Sequence, residues 1–246
     1  MKESSSFLAG LMASAFLLTS ASAATIGDSI GEFTADGTQG ANGWTGGYRN
    51  YTLDGGGEDF DPDAEFIAFD QASEWRGTGW RIVPANAPWT NLEAENAHPN
   101  GDNNAEEHWV IRRWEVPVTQ PIAVTWNLRK GNPNGAGVSG SLHVEGEQVD
   151  TEAIAGNNTG GISRTYYINA NAGERIDLAL TPVGPSGDRG DGSDGSAFSM
   201  TIDDQVDDLA TQPDGSIFIA ADAVDSEPDN LADAWEFLFF PGDLSV

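Results

Sequence analysis

The sequence predicts an all-β protein: an antiparallel β-sandwich of jelly-roll-like type with long acidic and Gly-rich loops. Three observations lead there. Across residues 107–203, short runs alternate apolar and polar side chains with period two, as strands with one buried and one wet face do. Gly, Asn and Pro turns separate the runs. Almost no helical period interrupts them, and many short strands without helices pack as sandwiches.

The runs are EHWVIRRWEVP, PIAVTWNL, VSGSLHVEG, ISRTYYINA, ERIDLALTP and SAFSMTID. In the second, Ile122, Val124, Trp126 and Leu128 share one face and Ala123, Thr125 and Asn127 the other. In the third, Val138, Leu142 and Val144 alternate with Ser139, Ser141 and His143. In the fifth, Ile176, Leu178 and Leu180 face the core. A one-residue slip would turn each apolar set into water, so the register is well specified. KGNPNGAG (130–137) and TPVGPSGDRGDGSDGS (181–196) are the long connections.

Upstream, weak strands are expected around 30–33 and 47–53, and further ones at EFIAFD (65–70) and GWRIVP (79–84). Residues 85–106 show no period and read as a long surface loop. Downstream, DDQVDDLATQPDG reads as a charged linker and SIFIAA as an extra strand. EPDNLADAWEFLFF reads as a Pro-capped turn leading to an aromatic cluster at 235–240, which either docks on the sandwich or meets a partner. The domain plan is thus a signal peptide at 1–23, a β-sandwich at 24–204, and an acidic linker with an aromatic C-terminal segment at 205–246.

The signal peptide rests on three parts in order: a short polar start with Lys2, an apolar run over 7–18, and Ala21-Ser22-Ala23 as a small-x-small cleavage site. The run is shorter than the roughly 20 apolar residues a spanning helix needs. The expected location is therefore extracellular or at the cell surface, without membrane insertion after cleavage. No Cys occurs, so stability must come from packing, or from a bound metal, rather than from disulfides. The net charge of −28, with lysine only at positions 2 and 130, disfavours nucleic acid and anionic lipid as partners.

The segments HWVIRRWEVP, WNLRKGNPNGAGVSGSLHVEGEQV, GERIDLALTPVG and DGSDGSAFSMTID follow a familiar order. They resemble a non-catalytic, carbohydrate-binding-like β-sandwich module of secreted bacterial proteins. Arg112, Arg113, Trp114, Gly135, Gly137, Val138, Gly146, Gly173, Ile176, Asp177, Asp194 and Phe198 stand at the matching places, and GWTGGYRNY (43–51) resembles the module's aromatic opening segment. The resemblance covers roughly residues 26–204. It implies a bacterial source and binding to extracellular polysaccharide. Such modules are often joined to polysaccharide-degrading domains or to PEP-CTERM-type sorting segments, neither of which is recognisable here.

Individual residues suggest where chemistry would sit. Trp44, Tyr48, Tyr51, Trp75, Trp80 and Trp89 lie in Gly-rich or loop-adjacent sequence. Aromatic rings of this kind stack on sugar C–H faces, though large aromatics also dominate cores. Arg112 and Arg113 point to opposite faces of one strand, so one can pair with a carboxylate such as Asp177 while the other faces a ligand. Arg112 joins the six aromatics as a candidate ligand-binding residue. Asp188, Asp191 and Asp194, separated by Gly, form a candidate calcium site, since carboxylates and carbonyls can complete an oxygen shell. The competing reading is a solvated acidic turn. A second acidic group (Asp54, Glu58, Asp59, Asp61, Asp63) is weaker.

Arg189-Gly190-Asp191 spells an adhesion tripeptide too short to carry weight, and the two Asn-x-Thr sequons carry no meaning if the source is bacterial, as the resemblance implies. His98, His108 and His143 lack zinc-binding spacing. No G-x-S-x-G is present, and with so many carboxylates an acid pair for glycoside hydrolysis is not distinguishable by sequence. The expected function is a secreted, non-catalytic binding module for extracellular polysaccharide, with the 181–196 loop as the expected place for a stabilising calcium ion. The alternatives are a structural or adhesive module that binds a surface protein, and a polysaccharide-acting enzyme with an unrecognised carboxylate pair.

Overall fold

The computed structural model describes residues 23–204 and the short strand Ile217–Ile219. Apart from Ala23, the expected signal peptide lies outside the described residues, as does the aromatic cluster at 235–240. The strands are β1 (Thr25–Asp28), β2 (Trp44–Asn50), β3 (Phe66–Ala68), β4 (Gly79–Arg81), β5 (Asn91–Glu93), β6 (Asn96–His98) and β7 (His108–Glu115). They continue with β8 (Gln120–Lys130), β9 (Gly137–Val144), β10 (Glu147–Ala155), β11 (Ile162–Ala170), β12 (Arg175–Thr181), β13 (Ser196–Asp204) and β14 (Ile217–Ile219). Among the described residues the α-helical content is one turn, α1 (Gln71–Glu74), capped by Asp70, whose side chain accepts from the Ala72 amide.

These strands form two antiparallel sheets, as expected of a β-sandwich. One has eight strands, ordered β14-β11-β8-β13-β6-β5-β4, with β1 also paired to β13. The other has six, ordered β10-β9-β12-β7-β2-β3. Period-two alternation sends Ile122, Val124, Trp126 and Leu128 of β8 inward with Phe198, Met200 and Ile202 of β13. From the other sheet Val110, Trp114, Leu142, Ile176, Leu178 and Leu180 meet them. Trp114 and Trp126 are fully buried; Trp109 is buried in a second, smaller cluster with Phe60, Ile111 and Ala179.

Three expectations are corrected. Residues 30–33 form a turn, and β2 starts at Trp44. The stretch 85–106 holds two three-residue strands, β5 and β6, and a 3-10 turn at Asp102–Asn104. Strands of three residues are too short to display a period. The third correction concerns the six-stranded sheet, whose second face is not wet.

On that sheet Ser139, Ser141, His143 and Asp177 are all buried. The loop from Tyr51 to Phe66 crosses it as a third layer. Arg49 is anchored beneath, donating from Nε to Asp54 Oδ2 at 2.6 Å and from Nη1 to the Gly57 carbonyl at 3.0 Å. Its guanidinium lies 4.8 Å from the centre of the Trp109 ring. Arg113 donates from Nε and Nη2 to the two Asp177 oxygens at 2.8 and 2.7 Å, and from Nη1 to the Pro62 carbonyl at 2.9 Å. Phe66 covers it, 3.8 Å from ring centre to guanidinium carbon. Of the two arginines, Arg113 is therefore the one that pairs with Asp177. With this face covered, the outward residues that stay within reach of water lie mainly on the eight-stranded sheet.

Candidate functional site

The ligand-binding residues expected from sequence do not come together as an open platform. Trp80 is 3 % exposed and packs against Phe69, Phe33 and Trp75. Trp75 and Tyr48 pack against the main core, and Tyr48 also meets the His108 ring at 5.1 Å. Tyr51 is stacked on Trp109 at 4.8 Å and covered by the Arg189 guanidinium at 4.5 Å. Trp44 is half-buried and donates from Nε1 to Glu32 Oε2 at 2.7 Å. Trp89 alone of the six has a large exposed surface, at 41 %. These rings are mostly consumed by packing, which is what large apolar area favours.

Arg112 is also buried, at 3 %. It reaches across the sandwich and donates to the carbonyls of Phe198 (2.9 Å), Glu93 (2.8 Å) and Ala94 (2.9 Å). Among the described residues no carboxylate pairs with it, and burial pulls its guanidinium down to about 9. It ties β7 to β13 and to the end of β5. Trp44, Trp80 and Arg112 do line one small recess with Glu32, Phe33 and Leu92, but the void there is only ≈ 20 Å³, room for about one water.

The candidate calcium residues are likewise spoken for. Asp194 is fully buried, and its Oδ1 accepts from Lys130 Nζ at 2.9 Å while Oδ2 has no hydrogen-bond partner among the described residues. Desolvation pushes its carboxyl up to about 6. Lys130 Nζ donates also to the Ser193 carbonyl at 2.8 Å. Asp191 accepts from Asn104 Nδ2 at 2.7 Å, and Asp188 lies exposed, accepting from the Gly190 amide at 2.8 Å. Among the described residues no three His, Asp or Glu side chains gather into a set that could hold a metal ion. Of the three carboxylates, Asp194 is already paired with a buried ammonium. The 181–196 loop is pinned instead by this ion pair and by close packing on the 130–137 turn. There Gly135 adopts φ +82°, and a Cβ would collide with the Gly192 carbonyl. Arg189 of the Arg-Gly-Asp tripeptide is engaged too, donating to both Glu107 oxygens at 2.6 Å.

What sequence reading missed lies on the outward face of β8, β11 and β13. Register places Asn127 between Ser163 and Ser199, and Thr125 between Thr165 and Thr201. Residues directly across an antiparallel ladder share a face. Between Arg129 at one end and Asp203 at the other, no outward side chain on these three strands is charged. In a chain with 39 acidic residues, that is an unusual stretch of surface. The side chains are short, so they leave a groove of ≈ 400 Å³ lined by Asn127, Ser163, Ser199, Glu95, Arg129 and the Gly160–Gly161 turn. This size falls within the range of small-molecule sites.

The walls follow from local chemistry. Arg129 Nη2 donates to Glu95 Oε1 at 2.6 Å, so the charges at this end cancel. Asn158 Oδ1 accepts from the Gly161 amide at 2.8 Å and fixes the turn. Gly161 has φ +80°, and a Cβ there would press on Arg129 and the Leu128 carbonyl. Hydroxyls and amides both donate and accept, so the floor can match a ligand rich in hydroxyl groups. Among the described residues Glu95 is the sole carboxylate lining the groove. The signal for this site was present in the sequence: between Arg129 and Asp203 the outward positions of the three strands are Ser, Thr, Asn, Tyr and Ala in a chain otherwise rich in Asp and Glu.

No protein-family model matches the sequence, and no curated protein matches it. Among solved structures, the chain has partial likeness to a family 35 carbohydrate binding module from an environmental isolate, at 19 % identity and TM-score 0.26, over 45 % of this chain and 70 % of that one. It has a similar likeness to the native family 35 carbohydrate binding module from Clostridium thermocellum, at 15 % identity and TM-score 0.27, over 49 % and 84 %. Overlap at this level assigns neither family nor ligand.

Proposed function

We propose that this chain is a secreted, non-catalytic module that binds a neutral extracellular polysaccharide across the outward face of β8, β11 and β13. The observation that carries the reading is the uncharged floor of the groove, Asn127, Ser163 and Ser199, within an otherwise strongly acidic protein. A neutral polyhydroxylated chain meets its hydroxyls there with donors and acceptors of either sense. An anionic polymer is disfavoured by the net charge of −28, and the ion-paired Arg129 offers it no free cation. Secretion rests on the N-terminal pattern of polar start, apolar run and small-residue cleavage site. Calcium is not part of this reading.

The test is affinity electrophoresis and thermal unfolding of the mature protein with neutral and uronate-containing polysaccharides. A ligand that binds the folded state alone raises the midpoint by mass action. The expected result is a shift with at least one neutral glycan, lost when Ser163→Arg fills the groove while its ligand-free midpoint stays at the wild-type value. Binding unaffected by Ser163→Arg would refute the placement. No shift with any neutral glycan would refute the function.

A further inference from the structure

Nine arginines serve a chain with 39 acidic residues, and most of them are bound to a carboxylate. Six hold a carboxylate oxygen at 2.8 Å or less, and Arg112 is buried on carbonyls. Arg76 and Arg81 differ. Among the described residues Arg76 meets no carboxylate, and its Nη2 reaches the Arg81 carbonyl at 3.5 Å. Arg81 donates from Nη1 to the Pro84 carbonyl at 3.3 Å, and the carboxylate nearest it, through Glu93 Oε1, is 4.0 Å from Nη2.

Local geometry brings these two cations to one place. The Arg76 amide donates to the Gly79 carbonyl at 2.9 Å and Trp75 bridges to Trp80, so the chain folds back on β4 through a tight turn. Trp80 is buried, so its neighbours Gly79 and Arg81 point outward, with Gly79 opposite Glu93 of β5. Gly79 places no side chain there, and a Cβ would collide with the Leu92 carbonyl and Glu93. Around it lies an open recess of ≈ 330 Å³ walled by Arg76, Thr78, Arg81, Pro84 and Glu93.

We propose that this recess is a second binding site, which takes the carboxylate of a small organic acid between the Arg76 and Arg81 guanidiniums. Two guanidiniums against the single carboxylate of Glu93 leave the recess with one positive charge in excess. A planar carboxylate presents two oxygens to forked N–H donors and cancels that excess. A phosphate dianion overshoots it. The net charge of −28 repels an acidic polymer approaching the rest of the surface, so the ligand is a small molecule that meets this recess alone. The volume lies within the range of small-molecule sites. No residue is shared with the groove on β8, β11 and β13, so this site stands or falls apart from the neutral-glycan reading.

The test follows the arginine Nε–Hε resonances of the isotope-labelled mature chain during titration with gluconate, inorganic phosphate and uncharged glucose at constant ionic strength. The expected result is saturable shifts at Arg76 and Arg81 with gluconate at a Kd of about 1–10 mM, weaker binding of phosphate, and no shift with glucose. Arg76→Gln and Arg81→Gln are each expected to weaken gluconate binding about tenfold or more. Glu93→Gln removes the like charge and is expected to tighten it about two- to fivefold, a gain that misfolding cannot imitate. Equal shifts at the exposed Arg129 would mean general ionic screening and overturn the inference. So would the absence of saturable shifts at Arg76 and Arg81, phosphate binding tighter than gluconate, wild-type affinity in either arginine variant, or affinity that does not rise in Glu93→Gln.

Discussion

Lys130 Nζ sits 2.9 Å from Asp194 Oδ1, with both side chains completely buried at the base of the 181–196 loop. The pair stands within the segment where a loop cation was expected and ties the 130–137 turn to the loop. Removing the ammonium leaves a buried carboxylate without its counter-charge. Lys130→Met is expected to cost about 3–5 kcal/mol in urea unfolding. A cost below about 1 kcal/mol would mean that the pair is not buried as described.

Calcium at millimolar concentration, and EDTA, are each expected to leave the unfolding midpoint unchanged, because Asp188, Asp191 and Asp194 do not converge. A midpoint that rises with calcium and falls back with EDTA, and does neither in Asp194→Asn, would restore the calcium site suggested by the DRGDGSDGS spacing.

Two buried groups give stability opposite slopes in pH. His143 is enclosed beside Ser141 and Phe60, and desolvation pulls it down from 6.5 to about 4. Between those values the unfolded chain takes up a proton that the folded chain refuses, so stability falls as pH falls through this window. Asp194 is pushed from 3.8 up to about 6, so its contribution is present below 3.8 and is lost as pH rises through 6. Unfolding by urea at steps from pH 4 to 7 is expected to show a shallower acid decline in His143→Gln than in the wild type. Asp194→Asn is expected to show a steeper one. Parallel profiles for all three proteins would contradict both assignments.

Arg112 and Arg113 separate stability from binding. Arg112→Lys leaves several buried carbonyls that one ammonium cannot reach from the same place, at a cost of about 2–4 kcal/mol. Arg113→Ala breaks the pair with Asp177 and uncovers Phe66, at about 3–5 kcal/mol. Both variants, while folded, are expected to keep glycan affinity. Loss of affinity in folded Arg112→Lys would return Arg112 to the ligand site.

Much of the fold was legible because its strands are long. The alternation of Ile122, Val124, Trp126 and Leu128 needed no tertiary knowledge, and SIFIAA was readable as the strand now seen at Ile217–Ile219. Strands β5 and β6 were not legible, since three residues carry no period. The buried second face of the six-stranded sheet was hidden for another reason. Ser139, Ser141 and His143 look solvent-facing until a loop far away in sequence is folded over them. The site suffered a similar ambiguity: a Trp in a Gly-rich segment reads alike whether it stacks on sugar or, like Trp80, fills a core. Neutral Ser, Thr and Asn become notable only once Asn127, Ser163 and Ser199 are set side by side by register.

The most direct test of the neutral-glycan face is backbone amide chemical-shift mapping of the mature protein titrated with the neutral oligosaccharide that binds it best. The account expects the largest changes at Thr125, Asn127, Ser163, Thr165 and Ser199, with little change around Trp89. Changes confined to the segment around Trp89, with β8, β11 and β13 unmoved, would contradict it.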